Sequence, residues 1–228
     1  MTKLKREIIT TSDGSKTIHI PEWNEQYHSK HGAIQEAYHV FIRHGLDLFQ
    51  NQNISILEIG FGTGLNAFIT YIESAKRNLE IEYVGAEAYP IAMEEVLKLN
   101  YVSELHANDL KKVFDQMHQT NWGVKDHLRK GFSLLKRKQF FQEIDDVNKF
   151  ELIYFDAFGA RVQPELWSVE IFQKMINALK VGGVLVTYAA KGSVRRAMLE
   201  VGFSVEKLPG PPGKREMLRA MKVSSDIE

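Results

Sequence analysis

Ile54-Ser55-Ile56-Leu57-Glu58-Ile59-Gly60-Phe61-Gly62-Thr63-Gly64-Leu65-Asn66 is a short apolar run that ends near an acid, meets three glycines at alternate positions and then opens a helix. The run is rich in β-branched residues and bounded by glycine, as a strand buried in a parallel sheet should be. Gly60, Gly62 and Gly64 permit a sharp turn and leave no side chain between the backbone and a bound molecule. A helix starting at Leu65 points its N–H groups into the same space. The stretch predicts a strand–loop–helix unit against which a nucleoside ligand can lie.

The spacing separates two ligand classes. A dinucleotide fingerprint requires Gly-x-Gly-x-x-Gly, and here the third glycine comes one position early. The pattern resembles the first motif of class I S-adenosylmethionine (SAM)-dependent methyltransferases, whose loop receives the amino-acid part of SAM. That resemblance implies cofactor contacts from Glu58, Gly60, Phe61, Gly62, Gly64, Leu65 and Asn66. A turn without a ligand does not need three glycines. Residues 80–89, Glu-Ile-Glu-Tyr-Val-Gly-Ala-Glu-Ala-Tyr, read as a second strand ending near Glu87. Glu87 lies about the ~20 residues past the loop expected of a ribose-binding acid. An ionised carboxylate only accepts hydrogen bonds, so it can take both ribose hydroxyls.

The 228 residues suffice for one α/β domain with a sizeable core. An apolar share of 44% and a charged share of 25% suit a globular protein. No apolar run approaches a membrane span, and no apolar core follows the basic start Met1–Arg6, so neither anchor nor secretory peptide is expected. The chain has no cysteine, which removes disulfides, thiolate nucleophiles and cysteine metal sites and fits a cytoplasmic protein. Lys and Arg total 29, matched by 29 Asp and Glu, so any nucleic-acid surface must be a local patch. Two stretches qualify: Lys125–Lys138, and Lys191–Arg196 with Lys214 and Arg215. His28 and His31 show no metal-ligand spacing, and no metal is expected.

Residues 8–20 read as a hairpin around Asp13-Gly14, stopped by Pro21. An amphipathic helix is expected over 33–49. Residues 1–50 thus form an extension, and 51–228 the main domain. There strands and helices alternate: strand 54–60, helix 65–77, strand 81–87, helix 90–99, a third strand at 132–136, a fourth at 151–156, helix 166–179, a fifth strand at 183–189 and helix 192–201. The order means a mostly parallel sheet covered on both faces. The last strands, 203–208 and 215–221, flank Pro209-Gly210-Pro211-Pro212-Gly213 and read as a hairpin, so one antiparallel C-terminal strand is expected. The fold class is therefore α/β, Rossmann-like. The middle stretch, 101–150, is a candidate lid.

The fourth strand runs into Asp156-Ala157-Phe158, and its carboxyl end should open onto the crevice shared by Glu58 and Glu87. A carboxylate there can orient an amine and take its proton, so Asp156 is the candidate catalytic residue and a cofactor neighbour. Phe158 can shield the site or stack on a base.

Several further segments occur in a telling order: Gly32–Phe41, Gly60–Asn66, Asp156-Ala157-Phe158, Pro164-Glu165-Leu166-Trp167, Val194-Arg195-Arg196 and Lys214-Arg215-Glu216-Met217-Leu218. Together they resemble the methyltransferase domain of the tRNA 5-methylaminomethyl-2-thiouridine biosynthesis family, over nearly the whole chain. The resemblance implies methyl transfer from SAM to the exocyclic amine of 5-aminomethyl-2-thiouridine at wobble position U34 of tRNA. It implies substrate contacts from Phe158 and Trp167, and phosphate contacts from Arg195, Arg196, Lys214 and Arg215. In some bacteria this domain is fused to a flavin (FAD)-dependent oxidase; with no second dinucleotide motif, the chain is expected to act with a separate oxidase. It departs from the common pattern after the third strand, where Lys136–Phe141 lacks an adenine-binding acid, leaving Gln139 or backbone groups. Two other readings compete. One is a methyltransferase or aminopropyltransferase of small amines, since spermidine synthases share the fold and an acid after the fourth strand. The other is a non-catalytic SAM-binding protein.

Overall fold

The structure, a computed structural model, describes residues 4–224. Its centre is an eight-stranded sheet formed by β4 (Asn53–Ile59), β5 (Glu80–Glu87), β6 (Lys125–Arg129), β7 (Phe132–Lys138), β8 (Phe150–Phe155), β9 (Leu179–Thr187), β10 (Phe203–Pro209) and β11 (Glu216–Lys222). The spatial order is β10-β11-β9-β8-β4-β5-β7-β6. β4 is central, paired in parallel with β5 and β8, with Ile56 opposite both Tyr83 and Leu152. β11 is antiparallel to both neighbours, as the hairpin reading predicts, but β6 also runs antiparallel, to β7. The expected single reversed strand is therefore two.

Parity along β4 sorts its side chains. Ile54 and Ile56 enter one core cluster with Phe68 and Ile69 of α2 (Leu65–Lys76, following α1 at Ala33–Ala37), whereas Leu57 and Ile59 enter the cluster on the other face. Successive strand residues point to opposite faces. Glu58 thus shares the Ile54 and Ile56 side and lies under the start of α2.

Ahead of the sheet, β1 (Glu7–Thr10), β2 (Lys16–Ile20) and the two-residue β3 (Glu25–Gln26) form a small antiparallel sheet. The Asp13 carboxylate organises the hairpin turn, accepting from Thr11 and Ser15 and from the Gln35 N–H at the head of α1. α1 widens into a π-helical run, Tyr38–Arg43, so the expected helix breaks into three pieces, the last a 3-10 turn at Leu46–Leu48.

The expected helix 90–99 is only α3 (Met93–Val96), and α4 (Tyr101–Glu104) and α5 (Lys111–Gln119) follow. Tyr101, Phe114 and Met117 are buried in the α2-side core. Residues 101–119 therefore pack as core, not as a lid. α6 (Val169–Ala178) and α7 (Gly192–Glu200) cover the opposite face.

Gly85 on β5 carries a steric requirement with no backbone strain. A Cβ there would lie 2.4 Å from Phe61 Cδ2 and 3.0 Å from its Cγ. Gly85→Ala should cost about 1–3 kcal/mol, the range for overpacking a rigid core. Urea unfolding checks this; an unchanged midpoint would show that Phe61 has another place to go.

Candidate active site

The carboxyl ends of β4, β5, β8 and β9 open onto one cleft of about 1430 Å³. Gly60, Glu87, Asp156 and Tyr188 line its floor, and the N-terminal segment closes one side with Trp23, Tyr27, His28 and Glu36. Gly213 and Lys214, from the turn before β11, border it as well. A doubly wound sheet gathers ligands at such strand ends.

The glycine loop does more than stay bare. Gly60, Gly62 and Gly64 have φ of +89°, +47° and +71°, which side-chain-bearing residues rarely adopt. A Cβ at Gly60 would meet the Asp156 carbonyl oxygen at 2.6 Å, one at Gly62 the Tyr27 ring at 3.1 Å, and one at Gly64 His118 Nε2 at 3.0 Å. The N–H groups of Gly60 and Phe61 both donate to Ala86 O, at 3.0 Å each. The Gly62 N–H donates to Glu87 Oε2 at 3.1 Å. Much of the loop is thus committed to the protein's own packing, with the cleft above it.

Glu87 is half-buried, and desolvation raises its pKa against the bonds it accepts. Oε1 accepts the Tyr89 N–H at 2.8 Å while Oε2 takes Gly62. Each oxygen keeps a lone-pair site for a hydroxyl.

Asn66 joins two acids. Its Nδ2 donates to Glu58 Oε1 at 2.9 Å and to Asp156 Oδ2 at 2.8 Å. Among the described residues, Glu58 Oε2 and Asn66 Oδ1 are buried without a hydrogen-bond partner. Burial first, then the charge on Asp156, drives the Glu58 pKa well above the carboxylate range. Asp156 is pushed up to about 7, chiefly by burial and then by Glu36, while Asn66 and Lys214 pull it down.

Lys214 reaches the cleft wall. Its ammonium pairs with Glu36 and sits 3.8 Å from the centroid of the Tyr188 ring. The other Glu36 oxygen accepts the Ser29 N–H at 2.8 Å, and Tyr188 donates to Ala157 O at 2.8 Å. Phe158 meets Tyr27 edge-on at 4.9 Å and Trp23 at 5.5 Å, making an aromatic wall. Arg161 ties this wall down by donating to Trp23 O and Asn24 O, both at 3.0 Å. His28 is held neutral, its pKa lowered to about 4 by burial, with Nδ1 3.0 Å from the Thr17 hydroxyl.

Several sequence-derived assignments change. Glu58 is 1% exposed and does not line the cleft; it acts through Asn66. The Phe61 ring is buried against Trp122 and His118. Gly64 faces His118, away from the cleft lining. Trp167 is buried too, its indole N–H donating to Phe158 O at 2.7 Å, so it holds the loop and does not face a substrate. Arg195 and Arg196 lie on α7 and Arg215 is exposed beyond Lys214, none of them on the cleft wall. Glu216 pairs with Lys207 at 2.9 Å. Gln139 Nε2 is buried without a partner, and its residue is not part of the cleft lining. Gly60, Phe61, Gly62, Leu65, Asn66, Glu87, Asp156, Phe158 and Lys214 do line the cleft. Sequence reading missed Trp23, Tyr27 and Tyr188, and it quoted Glu36 only inside the Gly32–Phe41 segment. Among the described residues no cluster of three or more His, Cys, Asp or Glu could hold a metal, and no helix is long and apolar enough to cross a membrane.

This strand order, with an acid ending β5 and an acid after β8 around a glycine loop, defines a class I methyltransferase fold. Residues 104–223 match the family of S-adenosyl-L-methionine-dependent methyltransferases, and the chain belongs to that family. It is 32% identical over 226 residues to the tRNA 5-methylaminomethyl-2-thiouridine biosynthesis bifunctional protein MnmC of Leptospira interrogans, covering 91% of this chain and 34% of that protein. The protein of the same name from Leptospira borgpetersenii is 30% identical over 211 residues, with 86% of this chain and 32% of the relative covered. The chain spans about a third of the length of these relatives. Among solved structures, MnmC2 from Aquifex aeolicus aligns with a TM-score of 0.77 at 24% identity, over 96% of this chain and 71% of that one. Spermidine synthase from Thermotoga maritima aligns at 0.55 and 15%, over 96% and 73%. Both share the fold.

The chain is therefore a SAM-dependent methyltransferase, and its residues fit SAM. Glu87 offers free acceptor sites at the end of β5, Asn66 Oδ1 is a buried acceptor without a partner, and the acidic floor suits a cation. SAM supplies a methyl group already activated on a sulfonium.

Asp156 has a stability signature independent of any substrate. Its folded pKa of about 7 lies above the ordinary carboxylate value. Below both values the acid is neutral folded or unfolded and costs nothing; as pH rises through about 4 to 7 the unfolded chain ionises first, and stability is lost. Asp156→Asn should therefore stabilise the protein by about 1–3 kcal/mol at pH 8, with the gain fading toward pH 4. Thermal unfolding across that range reads it, and a gain independent of pH would mean that Asp156 is not raised.

Proposed function

We propose that this chain methylates the exocyclic amine of 5-aminomethyl-2-thiouridine at tRNA wobble position U34. The observation that carries the reading is the site of Asp156: a raised carboxylate in one cleft with the aromatic wall of Phe158, Tyr27 and Trp23, in a chain similar over most of its length to proteins named for the biosynthesis of that nucleoside.

In this reading Glu87 holds the ribose of SAM, the Gly60–Asn66 loop carries its amino-acid end, and Asn66 fixes Asp156. Phe158, Tyr27 and Trp23 take the base. The substrate amine enters mostly protonated, and Asp156 accepts its hydrogen bond and then one proton, freeing the lone pair. A carboxylate with pKa about 7 is matched to that task near neutral pH. Holding the nitrogen about 3–3.5 Å from the methyl carbon supplies the rest. Residues 1–50 serve as an extension that walls the acceptor side, and 51–228 as the catalytic domain. Arg195, Arg196 and Arg215, outside the cleft, are positioned for the RNA backbone, where phosphate contacts orient without reading sequence. An FAD-dependent oxidase would prepare the amine.

A second reading, a small-amine methyltransferase, draws on the two carboxylates Glu36 and Asp156 in one cleft. Methyl transfer from labelled SAM to tRNA that lacks only the terminal U34 methyl decides between them. Nucleoside mass spectrometry should find one added methyl on the aminomethyl group; transfer to polyamines but not to tRNA would establish the second reading instead. Asp156→Ala should lower kcat by about 10²-fold or more while calorimetry finds SAM affinity nearly unchanged. Glu87→Gln should do the reverse, weakening SAM about tenfold or more, as loss of a charged acceptor does.

A further inference from the structure

The turn ahead of β11 is held from several sides. Lys214 N–H donates to Pro211 O at 2.9 Å and Gly210 N–H to Arg215 O at 3.1 Å. The His39 ring meets Pro209 O at 2.7 Å. Gly213 has φ of +83°, and a Cβ there would lie 2.3 Å from the His31 ring. No side chain fits between this turn and the N-terminal segment, so Lys214 is delivered into the cleft at a fixed point. There its ammonium meets the Glu36 carboxylate and the Tyr188 ring face at 3.8 Å. Glu36 is buried, and its other oxygen is fixed by Ser29 N–H.

Asp156 shares this cleft, and each element around it brings a group to bear. Asn66 comes from α2, with Glu58 of β4 behind it; Glu36 comes from α1, Lys214 from the turn, and Tyr188 from the end of β9. Glu36 and Asp156 are like charges lining the same cleft, and Lys214, which lines it too, is the cation paired with Glu36. We propose that Lys214, through its pair with Glu36, is a positioning residue that sets the charge state of Asp156 and leaves that carboxylate, not Glu36, to receive the incoming amine. A cation held on a carboxylate and an aromatic face is a stable arrangement, so Glu36 is already satisfied when substrate arrives. Discrimination then falls on the single carboxylate fixed by Asn66. The link to the amine rests on the function proposed above; the charge coupling does not.

The two charges pull Asp156 in opposite directions, which gives a test that a merely structural clasp does not mimic. Carbon-13 NMR of carboxyl-labelled Asp, with Asp156 assigned by its loss in Asp156→Asn, titrates the group in protein free of SAM and RNA. The wild-type midpoint is expected at about 7. Lys214→Met should raise it by about one pH unit, and Glu36→Gln should lower it by about as much. The double variant should fall between the two, and Lys214→Arg should stay near wild type. The acid limb of kcat/KM should move with the same signs, with SAM affinity unchanged. Shifts of one sign in both single variants, or none in either, would overturn the proposal. Circular dichroism checks that each variant folds; should Lys214→Met fail to fold, the downward shift in Glu36→Gln decides alone. Since the NMR titration needs no acceptor, its failure is distinct from a failure of the tRNA reading.

Discussion

Gly60 lies so close to the carbonyl of Asp156 that a single Cβ would come to 2.6 Å from its oxygen. That approach presses the loop after β4 against the loop after β8, and most of the site follows from it. It seats the first turn of α2 beside Asp156, so that one amide, from Asn66, can reach Asp156 and Glu58 together. The same loop donates the Gly62 N–H to Glu87, bringing the end of β5 into register. Backbone bonds fix the three strand ends as well, Gly60 and Phe61 N–H donating to Ala86 O and Asp156 N–H to Ile59 O, where rotamer freedom does not enter. A site built on rigid elements in this way holds its groups more closely than one built on loops alone.

Placing acids at three adjoining strand ends creates an electrostatic problem, which the structure resolves differently for each. Glu58 is buried, its pKa driven up by burial and by Asp156, and it acts as a hydrogen-bonding post beneath Asn66. Glu87 is half-buried and stabilised by the Gly62 and Tyr89 N–H groups. Asp156 alone is held near neutrality, with Glu36 raising it and Lys214 opposing. Similar chemical groups acquire different states because burial and neighbours differ, as separation of acid and base roles requires.

What was legible in the sequence is what depends on local pattern. The strand at β4, the glycine loop, Glu87 and Asp156 sit next to one another in chain order with their own punctuation, and the last hairpin carries its turn chemistry. β6 was not legible: Lys125-Asp126-His127-Leu128-Arg129 is an edge strand with one buried side chain, so it shows no apolar run. Its cations also made the 125–138 stretch look like a binding patch. In the fold Lys125 pairs with Glu82, Arg129 bonds Ser74, Arg137 pairs with Asp146, and Lys136 is buried against Trp122. Those four charges have partners within the chain, while Lys130 and Lys138 are exposed. Glu36 and Lys214 were unreadable as a pair, because 178 positions separate them and no local period reports a partner at that distance.

The two ends of the chain make a common fold particular. The sheet, the glycine loop and the strand-end acids would accommodate many acceptors, and the likeness to a spermidine synthase at a TM-score of 0.55 reflects that shared frame. Trp23 and Tyr27 come from the N-terminal segment, Glu36 from α1, and Lys214 from the turn before β11. None belongs to the strand–loop–helix units that form the floor. The aromatic wall offers a flat, apolar face, while the Glu36–Lys214 pair occupies one carboxylate and leaves Asp156, fixed by Asn66, facing the acceptor side. A substrate with one amine attached to a planar ring satisfies both features at once. An extended polyamine would leave the aromatic wall without a ring to cover it.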